Sequence, residues 1–164
     1  MEILNRNQIE QKIKRLAIQV LENNYQESEI ILIGINNTGM RFANLLYARL
    51  QKISNIDFDL AHLVINPRNP LDPSIELSLP AEDLQDKVII LIDDVANSGR
   101  TLFYACKPIM EVLPKRLETV VLVNRTHKHF PIQVNYLGLA LATTLKEHID
   151  VKMDEEEMQV QLID

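Results

Sequence analysis

One stretch, residues 88–101, constrains the fold and the chemistry of this chain more than any other. It begins with an apolar run rich in Val and Ile, which is typical of a parallel strand buried on both faces of a sheet. Two adjacent carboxylates, Asp93 and Asp94, end this run, and a loop of small and hydroxylated residues follows. Ligands of open α/β sheets bind outside the carboxyl ends of the strands. The stretch therefore predicts a ligand site at the point where this strand ends.

The loop after the carboxylates, residues 96–101, has the composition of an anion site. Gly99 allows the backbone to adopt a positive φ angle and to approach a ligand closely. Ser98 and Thr101 add hydroxyl donors, and a loop that enters a helix presents unpaired backbone N–H groups. The adjacent acids suit sugar hydroxyls, so the predicted ligand is a sugar phosphate. A purely structural connection would explain Ser and Thr as helix caps, but it would leave the two acids unexplained.

The order of these residues resembles the signature of the type I phosphoribosyltransferases, in which two acids precede a Ser/Thr-Gly-x-Thr loop. In that family the signature binds 5-phosphoribosyl-1-pyrophosphate (PRPP). The resemblance implies that Asp93 and Asp94 are catalytic and bind the ribose hydroxyls. It also implies a Mg²⁺ ion near them, held mainly by PRPP. The resemblance assigns the 5′-phosphate to five loop residues: Asn97, Ser98, Gly99, Arg100 and Thr101.

Strand and helix patterns alternate along the chain and predict an α/β fold, with a mostly parallel central sheet flanked by helices. Apolar residues at helical spacing predict one helix over residues 9–21 and another over 42–53. Strand patterns occur in seven segments: 30–35, 56–60, 75–79, 88–92, 120–123, 136–141 and, as a final edge strand, 158–162. The resemblance adds a hairpin hood loop and a small C-terminal base-binding segment.

Size and composition limit the class of protein. The 164 residues, 46% of them hydrophobic, suffice for one core and are too few for two ordinary domains, so we expect a single domain over 1–164. No apolar run approaches the length of a membrane span, and no signal-peptide pattern is present. Cys106 is the only cysteine, which favours a reducing cytoplasm. The net charge of −6 argues against a strong non-specific nucleic-acid binder.

A second segment, Gly34 to Gly39, joins the first strand to the second helix and should open on the same sheet edge. In phosphoribosyltransferases this loop holds the pyrophosphate of PRPP, and the most similar subfamily has basic residues between the two glycines. Here the corresponding residues carry no charge: Asn36, Asn37, Thr38 and Gly39. Because a charge-assisted hydrogen bond is roughly twice as strong as a neutral one, either weaker PRPP binding or a different ligand follows. Arg41 is a candidate for a compensating charge.

Over nearly its whole length the chain resembles the bacterial pyrimidine operon attenuation proteins, which also have uracil phosphoribosyltransferase activity. The segments ILIGINNTG, KVIILIDDVANSGRT and VVLVNRTHKHFPIQVNYLG carry this resemblance. It assigns Arg125, His127 and Lys128 to the base pocket or to an RNA-binding face, whereas Asn124 replaces the usual acid. In the 6-oxopurine members of the family, an acid at the position of Asn97 handles the proton on the purine ring nitrogen. Because a side-chain amide cannot act as a general base, the resemblance disfavours a 6-oxopurine enzyme and favours a pyrimidine base.

Residues 61–79 occupy the place of the family's hood loop, a hairpin that closes over PRPP and excludes water. In this chain the segment is short and rich in proline, and Arg68 is its only Lys or Arg residue. Two roles for Arg68 remain open from the sequence. It either covers the pyrophosphate or is simply solvated.

The resemblance implies transfer of the phosphoribosyl group of PRPP to a nucleobase, uracil first, with Mg²⁺ as cofactor and pyrophosphate as product. Two alternatives remain open: an RNA-binding regulator of pyrimidine genes that senses PRPP or a nucleotide, and a catalytically weakened sensor of the same fold. The regulator would need a basic face, whose N-terminal candidates are Arg6, Lys12, Lys14 and Arg15. A homo-oligomer, a dimer or a tetramer, is expected because the family commonly pairs its subunits.

Overall fold

The computed structural model describes residues 1–144 and 146–163. Its nine strands and three α-helices follow one another in the order β1 (Glu2–Leu4), α1 (Arg6–Asn24), β2 (Glu29–Ile35), α2 (Asn36–Ile53), β3 (Asp57–Val64), β4 (Glu76–Leu77), β5 (Val88–Ala96), α3 (Arg100–Ala105), β6 (Arg116–Arg125), β7 (Tyr136–Leu141), β8 (His148–Met153) and β9 (Met158–Ile163) in this described part. Two 3₁₀ helices, Ala81–Leu84 and Ile109–Glu111, flank β5 and α3.

The central sheet has six strands in the order β4-β3-β2-β5-β6-β7. All neighbouring pairs are parallel except β3 and β4, which form the short hairpin expected before the signature strand. The apolar runs of β2, β5 and β6 are buried, because helices and loops cover both faces of a parallel sheet. β2 and β5 are direct neighbours. The residues that follow these two strands therefore meet at one edge of the sheet.

A second, antiparallel sheet brings the two ends of the chain together in the order β1-β9-β8. The expectation of a final edge strand at 158–162 is wrong, because β9 lies between β1 and β8 and is the middle strand. The partner strand β1 has only three residues, which is too short for a hydrophobic pattern to show. The second partner, β8, has no counterpart among the predicted strands.

One apolar core joins the two sheets. Its buried members come from α1, from α2, from one face of the central sheet and from the small sheet, where Ile149, Val151 and Val160 take part. A separate core on the other face packs under α3 and contains the buried Cys106. Within the described residues, no helix is long and apolar enough to cross a membrane. The single domain over 1–164 stays a prediction, which this shared core supports.

Two boundaries near the sheet edge differ from the sequence prediction. The loop expected at residues 36–39 is wrong, because α2 begins at Asn36 and these residues form its first turn. Asn36 starts the helix with a φ of 54°, and the polar residues and glycine that follow conceal the helical pattern. β5 runs on through Asp93 and Asp94 to Ala96, which is beyond the strand predicted over 88–92 and includes the first residue of the predicted loop.

Candidate active site

Three adjoining pockets open where β2, β5 and β6 end. The acid pocket, about 430 Å³, is lined by the first turn of α2, by Asp93 and Asp94, and by residues 148–151 of β8. The loop pocket, about 170 Å³, is lined mainly by residues 95–102. The β6–β7 pocket, about 180 Å³, lies between the ends of those two strands. Asn97 lines all three pockets, so they form one cleft along the edge of the sheet.

The two adjacent acids differ in their environment. Asp93 is only 7% exposed, whereas Asp94 is half-buried, and the Asp94 backbone N–H donates a hydrogen bond to Asp93 Oδ1 at 2.9 Å. Burial raises the pKa of Asp93 well above its usual value, and the neighbouring Asp94 carboxylate raises this pKa further. A ligand that brings hydroxyl donors or positive charge to this pair therefore stabilises its ionised form.

The first turn of α2 approaches the acids closely at Gly39. A Cβ atom on this glycine would lie 3.0 Å from the carbonyl oxygen of Ile92 and 3.2 Å from Asp93 Oδ1. Any side chain at position 39 would therefore crowd both the end of β5 and its buried carboxylate. The absence of one allows the amino end of α2 and the acid pair to line the same pocket.

The 97–101 loop has the geometry that its sequence predicts. Gly99 has a φ of 86°, a conformation that residues with a side chain rarely adopt. Ser98 Oγ accepts a hydrogen bond from the backbone N–H of Arg100 at 3.3 Å, and Thr101 lines both the loop pocket and the acid pocket. The helix that follows has only six residues. An anion here would therefore depend on the loop's own N–H and hydroxyl groups rather than on a long helix dipole.

The segment after β6 supports this loop from behind. The backbone N–H groups of His129 and Phe130 donate to the Ser98 carbonyl oxygen at 2.9 and 3.2 Å. A Cβ atom at Gly99 would lie 2.6 Å from Ile132 Cγ2, a distance that real Cβ contacts essentially never show. The loop is thus held between the cleft and residues 128–132, which leaves little room for it to move.

The first turn of α2 supplies neutral groups to the acid pocket. Asn36, Asn37, Thr38 and Gly39 all line it, and Asn37 is the exposed member. The side chain of Asn36 is already engaged, because its Oδ1 accepts a hydrogen bond from the Ile65 backbone N–H at 3.0 Å. This contact fixes the chain after β3. The pocket end of α2 therefore offers backbone N–H groups, one exposed amide and one hydroxyl.

The compensating charge expected from Arg41 is engaged elsewhere. Its guanidinium forms an ion pair with Asp154 in the turn between β8 and β9. Both side chains are about half exposed, at 53% and 48%. The turn between β8 and β9 is therefore in contact with α2, and its Asp154 pairs with the charge of Arg41.

The proline-rich segment after β3 contributes Pro67 to the cleft, where it lines the acid and loop pockets. Arg100 donates a hydrogen bond from Nη2 to the Pro67 carbonyl oxygen at 2.5 Å and so joins this segment to the start of α3. Arg68 is exposed, and its backbone N–H donates to Asn66 Oδ1 at 3.0 Å. A role for Arg68 over a bound ligand stays a prediction.

The basic residues assigned together from the sequence separate in the structure. Arg125 and His127 line the β6–β7 pocket, and Arg125 Nη2 donates to the Thr144 carbonyl oxygen at 2.7 Å. Lys128 turns behind the 97–101 loop, where its Nζ donates to Asn124 Oδ1 at 2.6 Å. Arg125 and His127 thus face the cleft, whereas Lys128 supports its wall.

Comparison with known proteins agrees with this geometry. The model of the phosphoribosyl transferase domain matches residues 1–156. This chain belongs to the phosphoribosyltransferase family. It is 31% identical over 169 residues to the bifunctional protein PyrR of Pediococcus pentosaceus, with 96% of each chain covered. It is also 31% identical to PyrR of Streptococcus pneumoniae, over 94% of this chain and 90% of that protein.

Solved phosphoribosyltransferases share the fold. The hypoxanthine phosphoribosyltransferase of Trypanosoma cruzi superimposes with a TM-score of 0.79 at 14% identity, covering 98% of this chain and 94% of that one. A hypoxanthine-guanine phosphoribosyltransferase of Bacillus anthracis gives a TM-score of 0.75 at 19% identity, covering 91% and 86%. The expected type I phosphoribosyltransferase fold is confirmed, as is the resemblance to PyrR proteins. At these identities the structural matches bear on the fold alone.

The family resemblance implies a Mg²⁺ ion, for which the side chains of this cleft are the candidate ligands. Among residues 1–144 and 146–163, no group of three or more His, Cys, Asp or Glu side chains is arranged to hold a metal ion. The acid pair offers two neighbouring carboxylates instead. Mg²⁺ is commonly bound through one or two carboxylates together with substrate phosphates, so this donor set fits an ion that arrives with a polyphosphate.

Several residues that line these pockets are not among the site residues predicted from the sequence. In the β6–β7 pocket they are Thr126, His129, Leu141 and Thr143, and in the acid pocket they are residues 148–151. The strand β7 is predicted at its observed bounds, so residues just after it could have been suspected at the same sheet edge. The strand β8 gave no such signal, because its place beside α2 depends on the small sheet.

Proposed function

We propose that this phosphoribosyltransferase-family protein transfers the 5-phosphoribosyl group of PRPP to a nucleobase and releases pyrophosphate. Uracil is the favoured nucleobase. One observation carries the proposal: the acid pair, the 97–101 loop and the β6–β7 pocket adjoin one another, with Asn97 at every junction. A ribose, its 5′-phosphate and a base need three such neighbouring subsites in that arrangement.

Each subsite has a proposed set of residues. Asp93 and Asp94 bind the ribose hydroxyls, and the 97–101 loop binds the 5′-phosphate. Asn36, Asn37, Thr38 and Gly39 bind the pyrophosphate, with Arg68 as a second group above it. Arg125 and His127 border the base, because both line the β6–β7 pocket. The acid pair also lies where Mg²⁺ carried by PRPP would be placed, and that ion would neutralise pyrophosphate charge as the leaving group departs.

In the proposed reaction, uracil N1 forms a bond to the anomeric carbon while the bond from that carbon to the pyrophosphate oxygen breaks. The electron pair of the broken bond leaves with pyrophosphate, and the N1 proton is lost to solvent. The ribose develops positive charge in the transition state, which the carboxylates of Asp93 and Asp94 stabilise. The protein thus acts by positioning and electrostatics, without a covalent intermediate.

Uracil is favoured over a 6-oxopurine because of Asn97. The residue is exposed in the cleft and lines the β6–β7 pocket, so its amide would face the base. An amide takes up no proton at neutral pH, so Asn97 itself could not act as the general base for a purine ring nitrogen.

The decisive experiment measures pyrophosphate release with PRPP and Mg²⁺, for uracil, orotate, cytosine, hypoxanthine, guanine, xanthine and adenine in turn. Turnover with uracil is expected, and the Asp93→Asn, Asp94→Asn double variant serves as the blank. Turnover with a purine alone would refute the assignment of the base. If no base reacts but PRPP still raises the melting temperature, the second candidate, a sensor, replaces the enzyme.

The uncharged first turn of α2 favours that second candidate, a weakened phosphoribosyltransferase that senses PRPP or a nucleotide. The other alternative, an RNA-binding regulator of pyrimidine genes, needs a basic face. Its N-terminal basic candidates are only partly available, since Arg6 Nη2 donates to the Glu155 carbonyl oxygen at 2.7 Å. Lys14 and Arg15 are exposed on α1, whereas Lys12 is half-buried. RNA binding that weakens steeply with salt would support the regulator, and no binding at low salt would remove it.

Two further properties belong to the proposal. A homo-oligomer, a dimer or a tetramer, is expected for this family and is measured by light scattering. A cytoplasmic location is expected because the single cysteine, Cys106, is a buried free thiol. Fractionation of the source cells tests it.

A further inference from the structure

Lys128 lies behind the 97–101 loop, between the ends of β5 and β6. Its Nζ donates hydrogen bonds to Asn124 Oδ1 at 2.6 Å, to the Arg125 carbonyl oxygen, and to the Ala96 carbonyl oxygen at 3.4 Å. The side chain is half-buried, and its Cδ would lie 3.2 Å from a Cβ atom at Gly99. One ammonium group therefore connects the last residues of β6 to the residue that precedes the loop.

The charge of this ammonium group is not neutralised by a carboxylate. All three oxygens that accept its hydrogen bonds are uncharged, and none of the ion pairs among residues 1–144 and 146–163 includes Lys128. Burial lowers the pKa of Lys128, and the neighbouring Arg125 lowers it further. A half-buried cation with only neutral acceptors gains stability from any anion that binds nearby.

The loop beside it is the part of the cleft where such an anion fits. Ala96, whose carbonyl oxygen contacts Lys128, lines the loop pocket together with Ser98, Gly99 and Thr101. Asn124 stands where the family pattern has an acid. A carboxylate at this position, 2.6 Å from Nζ, would cancel the charge that the amide leaves free.

We propose that Lys128 is a positioning residue for the 97–101 loop, and that its unneutralised charge strengthens the binding of a dianionic phosphate there. The inference rests on the proposed function, because it takes this loop as the 5′-phosphate subsite. It gives Lys128 a role in phosphate recognition in place of the base pocket or an RNA face.

Two ligands test the two ends of the cleft separately: ribose 5-phosphate tests the 97–101 loop, and inorganic pyrophosphate with Mg²⁺ tests the first turn of α2. Calorimetry on the full chain measures the Kd of each ligand. Lys128→Met removes the charge and its donors, whereas Lys128→Arg keeps both. Asn124→Asp keeps Lys128 in place and neutralises it. Lys107→Met is the matched control, since Lys107 is exposed after α3 and its loss changes the net charge equally.

We expect Lys128→Met to weaken ribose 5-phosphate about tenfold or more, while the Kd of pyrophosphate changes by less than about twofold. Lys128→Arg should stay within about threefold of the parent, and Asn124→Asp should weaken ribose 5-phosphate by about threefold or more. Lys107→Met should change neither ligand. Selective loss of one ligand with rescue by Arg distinguishes positioning from general destabilisation.

Ribose 5-phosphate affinity within about twofold of the parent in Lys128→Met would overturn the inference while the proposed function stands. The same result in Asn124→Asp would overturn the role of charge, and this variant decides alone if circular dichroism shows Lys128→Met to be unfolded. A parent chain that binds neither PRPP nor ribose 5-phosphate would overturn the proposed function together with this inference.

Discussion

The neighbouring strands β2 and β5 end at one edge of the central sheet, but they prepare that edge differently. β5 carries two carboxylates near its carboxyl end and leads into a loop in which Gly99 has a φ of 86°. The segment after β6 donates hydrogen bonds to this loop at the Ser98 carbonyl oxygen. β2 passes directly into α2, and the first side chain of that helix, Asn36, is used to fix the chain after β3. One strand end thus presents a pair of carboxylates and a loop held by hydrogen bonds, whereas the other presents only neutral groups.

The two sides of the cleft therefore differ in what supports them. The β5 side depends on backbone conformation and on the buried acid Asp93, both of which are supported by packing. The α2 side depends on which side chains occupy residues 36–38. Asn36 also fixes the chain after β3, whereas Asn37 is exposed and open to substitution. We therefore expect changes on the β5 side to have larger effects than changes on the α2 side.

The largest effect is expected for Asp93→Asn combined with Asp94→Asn. The double variant removes both ribose-binding charges and should weaken PRPP more than about a hundredfold, because hydrogen bonds to charged groups are the strong ones. The fold should survive, since the acids lie at the end of a strand. Calorimetric titration with PRPP and Mg²⁺ measures the effect, and unchanged affinity would contradict the assignment of the ribose subsite.

Gly99→Ala should damage the β5 side through its backbone. The new Cβ would meet Ile132 Cγ2 at 2.6 Å, in a conformation unfavourable for alanine, so we expect a loss of about 1–3 kcal/mol in the free energy of unfolding. Urea denaturation measures this loss. An unaltered stability in Gly99→Ala would show that the loop is freely adjustable.

Asn37→Arg adds the missing charge on the α2 side. Asn37 is exposed and lines the acid pocket, so an arginine there is accommodated and can form a charge-assisted contact with pyrophosphate. PRPP affinity or turnover should rise about tenfold. Asn37→Gln, which adds length without charge, is the control. If arginine and glutamine behave alike, charge is not what limits this side of the cleft.

Asp93→Asn alone tests the burial of this carboxyl group through the pH dependence of the melting temperature. Because the pKa of Asp93 is raised in the folded state, its contribution to stability is complete below its ordinary value of 3.8 and is lost as pH rises through the folded pKa. The Asn variant lacks this loss, so its melting temperature should exceed that of the parent at pH 8 by about 3 °C or more. The gap should close near pH 4; a constant gap would show that burial does not disfavour the charged form.

The smallest effect is expected for Arg41→Gln. Because Arg41 is paired with Asp154 and about half exposed, its loss should cost less than about 1 kcal/mol of stability. Pyrophosphate affinity should change by less than about twofold, since the charge is already engaged. A large loss of affinity, measured by titration with pyrophosphate and Mg²⁺, would show that Arg41 leaves Asp154 and supplies the charge that the first turn of α2 lacks.

The sequence predicted the parts of this molecule that depend on neighbouring residues. The apolar run before Asp93 indicated the buried parallel strand, and the spacing from Asp93 to Thr101 indicated both the family and the loop. The positive φ of Gly99 followed from the need for a tight turn close to a ligand. These features are local in the chain, so a short pattern suffices to specify them.

The tertiary structure decided the features that depend on residues distant in the chain. In the structure β9 lies between β1 and β8, and β8 lines the acid pocket. Arg41 forms an ion pair with Asp154, and Lys128 lies behind the loop rather than in the cleft. None of these contacts has a pattern in the sequence, because each depends on which surfaces meet when the small sheet packs against α2 and when β6 is laid beside β5. The chain by itself therefore determined the family and the 97–101 loop, whereas packing determined which charged side chains are engaged with one another and which line the cleft.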